Sequence, residues 1–171
     1  MELQTYLELM QEKLSAYYDT ELPFQFDGRT FDLYARTEQR NERYFASKKI
    51  KVYAIENKEH VFMKYYETLT DRDLDDFWQV LIKAAEELPE PHDEHMSTII
   101  NGIVLTTSAI DADTENRISK MKHDKSFAFG LKGWVYVRLL VINLNDHTMI
   151  HNRRGKEVTD QYGPDVVKHH E

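Results

Sequence analysis

The apolar residues of this chain recur with two different periods, which divide it into predicted helices and strands. Near the start they follow one another mainly at steps of three and four, which predicts an amphipathic helix with the apolar face Leu3, Tyr6, Leu7, Met10, Leu14 and Tyr17. A second helix is predicted after Thr70, because Asp73 stands three residues later, as in a capping box, and an apolar stripe continues to Leu88. Residues 111–125 predict a weaker helix.

Strands are predicted where apolar and polar residues alternate. Residues 31–33, 50–55 and 61–65 follow this period of two. They predict a three-stranded meander, with its first connection near residues 37–41 and a polar hairpin turn at residues 56–60.

Two later stretches predict the rest of the sheet. Residues 99–107 are rich in β-branched side chains, and Gly102 predicts a bulge there. Residues 134–144 are apolar on both faces and predict a central strand, followed by a short last strand at residues 147–152. We expect the central strand to bury one face through Val135, Val137, Leu139 and Val141, and the other through Trp134 and Leu140.

The predicted element order is α-βββ-α-β-α-ββ, which indicates the α+β class. We expect residues 1–153 to form a single domain with a mixed, mostly antiparallel sheet and helices packed on it. Residues 154–171 are predicted to be a polar C-terminal tail.

Composition places the chain among globular proteins. Of its 171 residues 41% are hydrophobic, which is enough to bury a core, and none is cysteine. The lack of cysteine excludes disulfides, thiolate metal sites and a cysteine nucleophile. The first residues do not resemble a signal peptide, and the longest apolar run is interrupted by Arg138. We therefore expect a soluble, cytoplasmic protein without membrane association.

The charge is unevenly distributed. A net charge of −8 disfavours nucleic acid as a general partner, because phosphates are repelled at long range. Residues 34–53 nevertheless carry six basic and two acidic side chains. Their basic–aromatic patch consists of Arg36, Arg40, Arg43, Tyr44, Lys48, Lys49, Lys51 and Tyr53. Such a patch on strands can stack single-stranded bases, or it can be a solvated edge whose lysines oppose strand pairing.

A second basic stretch, Asn152-Arg153-Arg154-Gly155-Lys156, follows the last predicted strand. A donor-rich turn of this kind can hold phosphate, although a polar end to the strand explains the same residues. His147 and His151 fall four positions apart on a predicted strand, about 13 Å from each other, which is too far to share a metal ion. No metal ligand is assigned among the histidines.

One acidic–basic triplet carries a resemblance to a known fold. Glu56-Asn57-Lys58, with Asp32 upstream and the order α-βββ-α-β, resembles restriction-endonuclease-like nucleases. The resemblance implies that Asp32 and Glu56 bind Mg²⁺ and that Lys58 orients the attacking water. In that family the triplet lies within a strand, whereas here Lys58 falls in the predicted hairpin turn. A solvated loop is therefore the alternative interpretation.

A second resemblance concerns the family as a whole. The run Phe31-Asp32-Leu33-Tyr34-Ala35-Arg36, with Tyr44-Phe45 after it, resembles small uncharacterised domains of bacterial genomes. Those families have no assigned activity, so the resemblance implies a free-standing domain without naming its function.

These observations support three functional hypotheses. P-loop, dinucleotide-binding and nucleophile-elbow motifs are absent from the sequence, which disfavours those enzyme classes. The leading hypothesis is a non-catalytic binding or accessory module that recognises a protein partner or self-associates, with no cofactor. The alternatives are a metal-dependent nuclease or other phosphodiester enzyme using Mg²⁺, and a single-stranded nucleic-acid binder.

Overall fold

A computed structural model describes residues 1–37, 57–89, 97–127 and 133–165. The predicted α+β class is confirmed, because a mixed seven-stranded sheet lies between helices in one domain. The helices are α1 (Leu3–Ser15), α2 (Asp71–Glu87), α3 (Ala112–Lys120), a 3-10 helix (Gly155–Val158) and α4 (Thr159–Tyr162). The strands are β1 (Tyr18–Glu21), β2 (Phe24–Phe26), β3 (Arg29–Phe31), β4 (Leu33–Thr37), β5 (Asn57–Tyr66), β6 (Ser97–Thr106), β7 (Asp124–Ser126), β8 (Trp134–Asn143) and β9 (Met149–His151).

The main sheet has the order β1-β4-β5-β6-β8-β7, with β9 beside the far end of β8. The long strands β5, β6 and β8 are parallel, and the remaining pairs are antiparallel. Strands β2 and β3 form a separate hairpin. Parallel strands need crossover connections, and α2 and α3 occupy the chain between β5, β6 and β8. No helix in the described ranges has the length and apolarity to span a bilayer.

Local sequence signals set the helix ends. The capping box of α2 is confirmed, since Thr70 accepts a hydrogen bond from the backbone of Asp73 and the Asp73 side chain accepts one from Thr70. Asp111 caps α3 by accepting from the Thr114 backbone, which lowers the pKa of Asp111. Helix α3 ends at Lys120, earlier than expected, because Met121 adopts an extended backbone.

The predicted hairpin turn at residues 56–60 is wrong for its described part. Residues from Asn57 onward belong to β5, and β4 pairs directly with β5, with Leu33 opposite Met63. The predicted strand at 50–55 and Glu56 lie outside the described residues. A hairpin that was not predicted occurs earlier, where Asp27 and Gly28 both have positive φ, as a two-residue turn requires.

The sheet buries a separate apolar cluster on each face. Helices α2 and α3 and the β2–β3 hairpin cover one face, and α1 with the C-terminal helices covers the other. On β8 the expected burial is confirmed for Val135, Val137, Leu139, Val141 and Leu140. It is wrong for Trp134, which is 44% exposed because no described element packs over that end of the strand.

Two smaller expectations are also corrected. Residues 155–162 are not a polar tail, because Val158 and Tyr162 are buried against the α1 side of the sheet and the Tyr6 hydroxyl donates to the Tyr162 carbonyl. Gly102 forms no bulge and lies in regular parallel pairing. A Cβ there would lie 2.3 Å from Leu81 Cδ1, so glycine allows close packing of α2 on β6.

Candidate functional site

The α1 side of the sheet is apolar at one end and polar at the other. Along β8 this face carries Trp134, Tyr136 and Arg138 first, and then Leu140 and Ile142. The helices on this side bury the second, apolar part, whereas the 3-10 helix contacts the first part only through Glu157 at Arg138. The first part therefore presents aromatic and charged side chains beside the strands β5, β6 and β7.

Arg138 is the centre of a polar network on this face. Its side chain is 12% exposed and donates to Glu157 Oε2 at 2.8 and 3.1 Å, while Glu59 Oε1 lies 3.7 Å away. Glu59 Oε2 in turn accepts from the Asn101 amide and the Tyr18 hydroxyl, each at 3.0 Å. Burial by itself lowers the pKa of Arg138, but the hydrogen bond to Glu157 and the nearby charges raise it overall. The network holds the 3-10 helix against the sheet.

Two guanidinium groups lie close to the Tyr136 ring. The Arg154 guanidinium is 4.3 Å from the centre of the Tyr136 ring, and that of Arg138 is 5.4 Å away, both within cation–π distance. Arg154 also approaches Glu157 Oε1 at 3.4 Å and Asp124 Oδ1 at 3.7 Å. These contacts fix Arg154 over the ring and connect the 3-10 helix to β7.

A shallow cavity of about 410 Å³ lies beside this pair. Trp134, Tyr136 and Arg154 contribute to its walls, together with the short side chain of Ser126 on β7. Trp134 is one of three exposed large hydrophobic side chains in the described part of the chain, with Tyr17 and Met149. An exposed tryptophan beside an arginine is typical of the residues that dominate binding energy at interfaces.

In the described part of the chain, β7 is the outermost strand at this side of the sheet, next to the cavity. Val137 N donates to the His123 carbonyl and Phe127 N to that of Gly133, so the pairs Asp124–Tyr136 and Ser126–Trp134 are of the non-hydrogen-bonded kind. The backbone N–H and C=O groups of Asp124 and Ser126 consequently point away from β8. They make no backbone hydrogen bond to another described residue.

Between β7 and β9, the Asn152 side chain makes the hydrogen bonds to the β8 backbone that a neighbouring strand would otherwise make. Asn152 Oδ1 accepts from the backbone N–H groups of Leu139 and Gly155, and its Nδ2 donates to the carbonyls of Val137 and Met121. Asn152 is 1% exposed, so all four of its hydrogen bonds are internal. A Cβ at Gly155 would lie 2.1 Å from the Leu139 carbonyl oxygen, which requires glycine there. The Asn152–Gly155 turn is thus fixed against β8 at both ends.

Two residues of the predicted nuclease site, Asp32 and Lys58, do not come together. Asp32 Oδ2 accepts from Tyr65 N at one end of β5, whereas Lys58 lies near the other end. Its hydrogen bonds place Asp32 beside Met63 and Tyr65, at least five residues from Lys58, which is about 17 Å along a strand. Lys58 lies within a strand, as in the nucleases, and Glu56 is outside the described residues. No three His, Asp or Glu side chains are grouped to hold a metal in the ranges that are described.

The basic–aromatic patch is described only at its start. Arg36 is exposed and lies 3.8 Å from Asp19, while Arg40, Arg43, Tyr44, Lys48, Lys49, Lys51 and Tyr53 lie outside the described residues. Tyr34, which begins this stretch, is 6% exposed and stacks on Phe24 at 3.9 Å, so its ring is not available to a base. The Tyr34 hydroxyl lies 2.7 Å from His60 Nδ1. Burial, with Arg36 and Lys58 nearby, lowers the pKa of His60 to about 4.

Sequence reasoning missed Trp134, Tyr136, Ser126 and the role of Arg154 in this surface. The apolar character of the whole segment predicts a core position for Trp134. One signal was present: Arg138 shares a strand face with Trp134 and Tyr136, and a charged residue at that spacing indicates that this end of the face is not covered by an apolar layer. The register of β7 and the contact of Arg154 with Tyr136 depend on tertiary structure.

Comparison with known families identifies one match, to a domain of unknown function (DUF8052) over residues 2–164. The chain belongs to this family. The expectation of an uncharacterised domain family is therefore confirmed, and DUF8052 also includes residues 155–162 of the C-terminal helices. No curated protein and no solved structure matches the chain.

Proposed function

We propose that this DUF8052 domain is a non-catalytic binding module that takes an extended acidic segment of a partner protein along the edge strand β7. The observation that carries the proposal is the outward-pointing backbone of Asp124 and Ser126, which bonds to no other described strand and lies beside the exposed ring of Trp134. An extended peptide adds to such an edge through main-chain hydrogen bonds, and a neighbouring pocket takes one of its side chains. The cavity at Trp134 and Tyr136 supplies that pocket.

Local charge favours an acidic partner. Lys122, Lys125 and Arg154 lie at or beside β7, and Asp124 and Glu157 are the carboxylates among them. This local excess of basic side chains contrasts with the net charge of −8 on the whole chain. Complementary charge speeds association and rejects basic competitors. The proposal includes a cytoplasmic location, which the lack of cysteine supports.

The test is selection of peptides from a random library on the wild-type domain, followed by affinity measurement on variants. Trp134→Ala removes the aromatic wall, and Ser126→Pro removes one outward N–H while leaving the inward bonds of Lys125 to β8. We expect acidic peptides whose affinity falls about tenfold or more in each variant, since truncating an interface tryptophan typically costs about 2 kcal/mol. Tyr17→Ala is the matched control, because Tyr17 is 61% exposed and lies outside this surface.

Three results would count against the proposal. Selection that yields no peptide, or peptides that bind Trp134→Ala and Ser126→Pro as tightly as wild type, would remove β7 as the binding edge. A dimer in sedimentation experiments that Ser126→Pro abolishes would replace the acidic peptide by a second copy of this chain. Far-UV circular dichroism of each variant establishes that it is folded before its affinity is compared.

A further inference from the structure

A second and larger cavity, of about 450 Å³, lies between the end of α3 and the turn that follows β9. Its basic lining side chains are Lys120 and Lys122 from the end of α3 and Arg153 and Arg154 from the turn. These two segments are about thirty positions apart in sequence, so their cations meet only in the folded protein. Their grouping at this cavity is not explained by the pairing of β7 or by the cavity at Trp134.

The four cations are not equally compensated. Arg154 and Lys122 both approach the Asp124 carboxylate, at 3.7 and 3.6 Å, and Arg154 also approaches Glu157. Lys120 and Arg153 make no ion pair or side-chain hydrogen bond with any residue in the described ranges. Within the described part of the chain, two of the four positive charges around one cavity therefore have no counter-ion, and a bound anion would reduce the repulsion among the four.

The cavity is built on a rigid base. Asn152, which makes four internal hydrogen bonds, and Gly155, which no larger residue can replace without a clash, fix the turn that carries Arg153 and Arg154. A turn whose backbone is already fixed loses less backbone freedom when a ligand binds, so more of the interaction energy appears as affinity. His123 also lines the cavity, and its Nε2 is buried without a hydrogen-bond partner in the described part of the chain.

We infer that this cavity binds a phosphoryl group, as free phosphate or as a phosphate monoester. Arginine and lysine donate charge-assisted hydrogen bonds to phosphate oxygens, and Arg153 can do so in a bidentate manner. The end of α3 contributes partial negative charge, which weakens anion binding there. We therefore expect a dissociation constant nearer to millimolar than to nanomolar, about 1 mM. This inference does not depend on peptide binding at β7, because Lys120 and Arg153 line a different cavity from Trp134.

The test is titration of the ¹⁵N-labelled full chain with inorganic phosphate and, separately, with O-phosphoserine, at constant ionic strength set by chloride. We expect saturable shifts of the amide signals of residues around the turn, including Gly155, with phosphate. Lys120→Ala combined with Arg153→Ala should weaken binding at least about tenfold, because it removes both unpaired cations. Lys156→Ala is the matched control, since Lys156 is an exposed cation of the same turn region that does not line the cavity.

The outcomes separate the ligand sources and decide the inference. Binding of both probes assigns the cavity to phosphate esters, and binding of phosphate alone assigns it to the free anion. The inference is overturned if neither probe produces saturable shifts, or if Lys156→Ala weakens binding as much as the double variant does. Because the double variant leaves Trp134 and Ser126 intact, peptide selection on it remains informative about β7 whichever result is obtained.

Discussion

Replacing Asn152 by alanine tests most directly how the turn that carries Arg153 and Arg154 is held against β8. The side chain makes four hydrogen bonds to the backbone of four residues and is 1% exposed. Each such bond contributes about 0.5–1.5 kcal/mol net, which gives about 2–6 kcal/mol for the four. Water entering from the adjacent cavity restores part of the loss for groups near its wall. We therefore expect Asn152→Ala to lower the free energy of unfolding by about 2–4 kcal/mol.

Equilibrium urea unfolding at neutral pH measures this change, and thermal unfolding should show it as a fall in Tm of about 5–15 °C for a chain of this size. Asn116→Ala is the control, because Asn116 is exposed on α3 and its side chain makes no hydrogen bond to another described residue. It should change stability by less than about 0.5 kcal/mol.

A second substitution separates hydrogen bonding from simple loss of volume. Asn152→Asp keeps the oxygen that accepts from Leu139 and Gly155 but places another oxygen against the carbonyls of Val137 and Met121. Burial and these carbonyls raise the pKa of the new carboxyl, so the variant should be least stable relative to wild type at neutral pH and recover part of the difference at about pH 4. The reasoning is refuted if Asn152→Ala costs less than about 0.5 kcal/mol, or if Asn152→Asp equals wild type at neutral pH.

Two further predictions concern the other face of the sheet. Gly102→Ala should destabilise the fold by about 1–3 kcal/mol in urea unfolding, because the new Cβ must displace Leu81 and Phe77, and Leu81→Val in the same chain should relieve part of the cost. His60 should make stability depend on pH: its folded pKa of about 4 lies below the unfolded value of 6.5, so its contribution is complete above about pH 6.5 and is lost as pH falls toward 4. Urea unfolding of His60→Gln at both ends of that window should show a smaller change of unfolding free energy with pH than wild type. An equal change in both proteins would show that His60 is not its source.

Local signals were sufficient to predict the helices and the long apolar strands. The capping residues Thr70 and Asp111 and the apolar spacing of α1 and α2 act within one or two turns, so the sequence contains the whole explanation. The Asp27-Gly28 hairpin carried an equally local signal that was overlooked. The fold class could therefore be predicted, whereas the strand order depended on pairings between distant segments.

The polar end of the α1 side of the sheet could not be predicted in the same way. Residues 57–60 are polar and resemble a turn, yet they form a strand because Glu59 has partners on β1, β6 and β8 that lie far away in sequence. Those partners satisfy the charge that made the segment look solvated. Trp134 shows the reverse case, because its hydrophobicity predicts burial but no described helix packs over its end of β8. In both cases burial depends on which elements cover a given part of the sheet.

Arg154 shows why the two proposed sites need separate variants. Its guanidinium lines both cavities, stacks on Tyr136 and approaches Asp124 and Glu157. Removing it would expose the Tyr136 ring, release both carboxylates and delete a cation from the phosphate cavity at once, so loss of either activity would have several explanations. Trp134 and Ser126 belong to the peptide edge alone, and Lys120 and Arg153 to the phosphate cavity alone. Loss of peptide binding in the first pair together with loss of phosphate binding in the second is the pattern that two distinct sites produce.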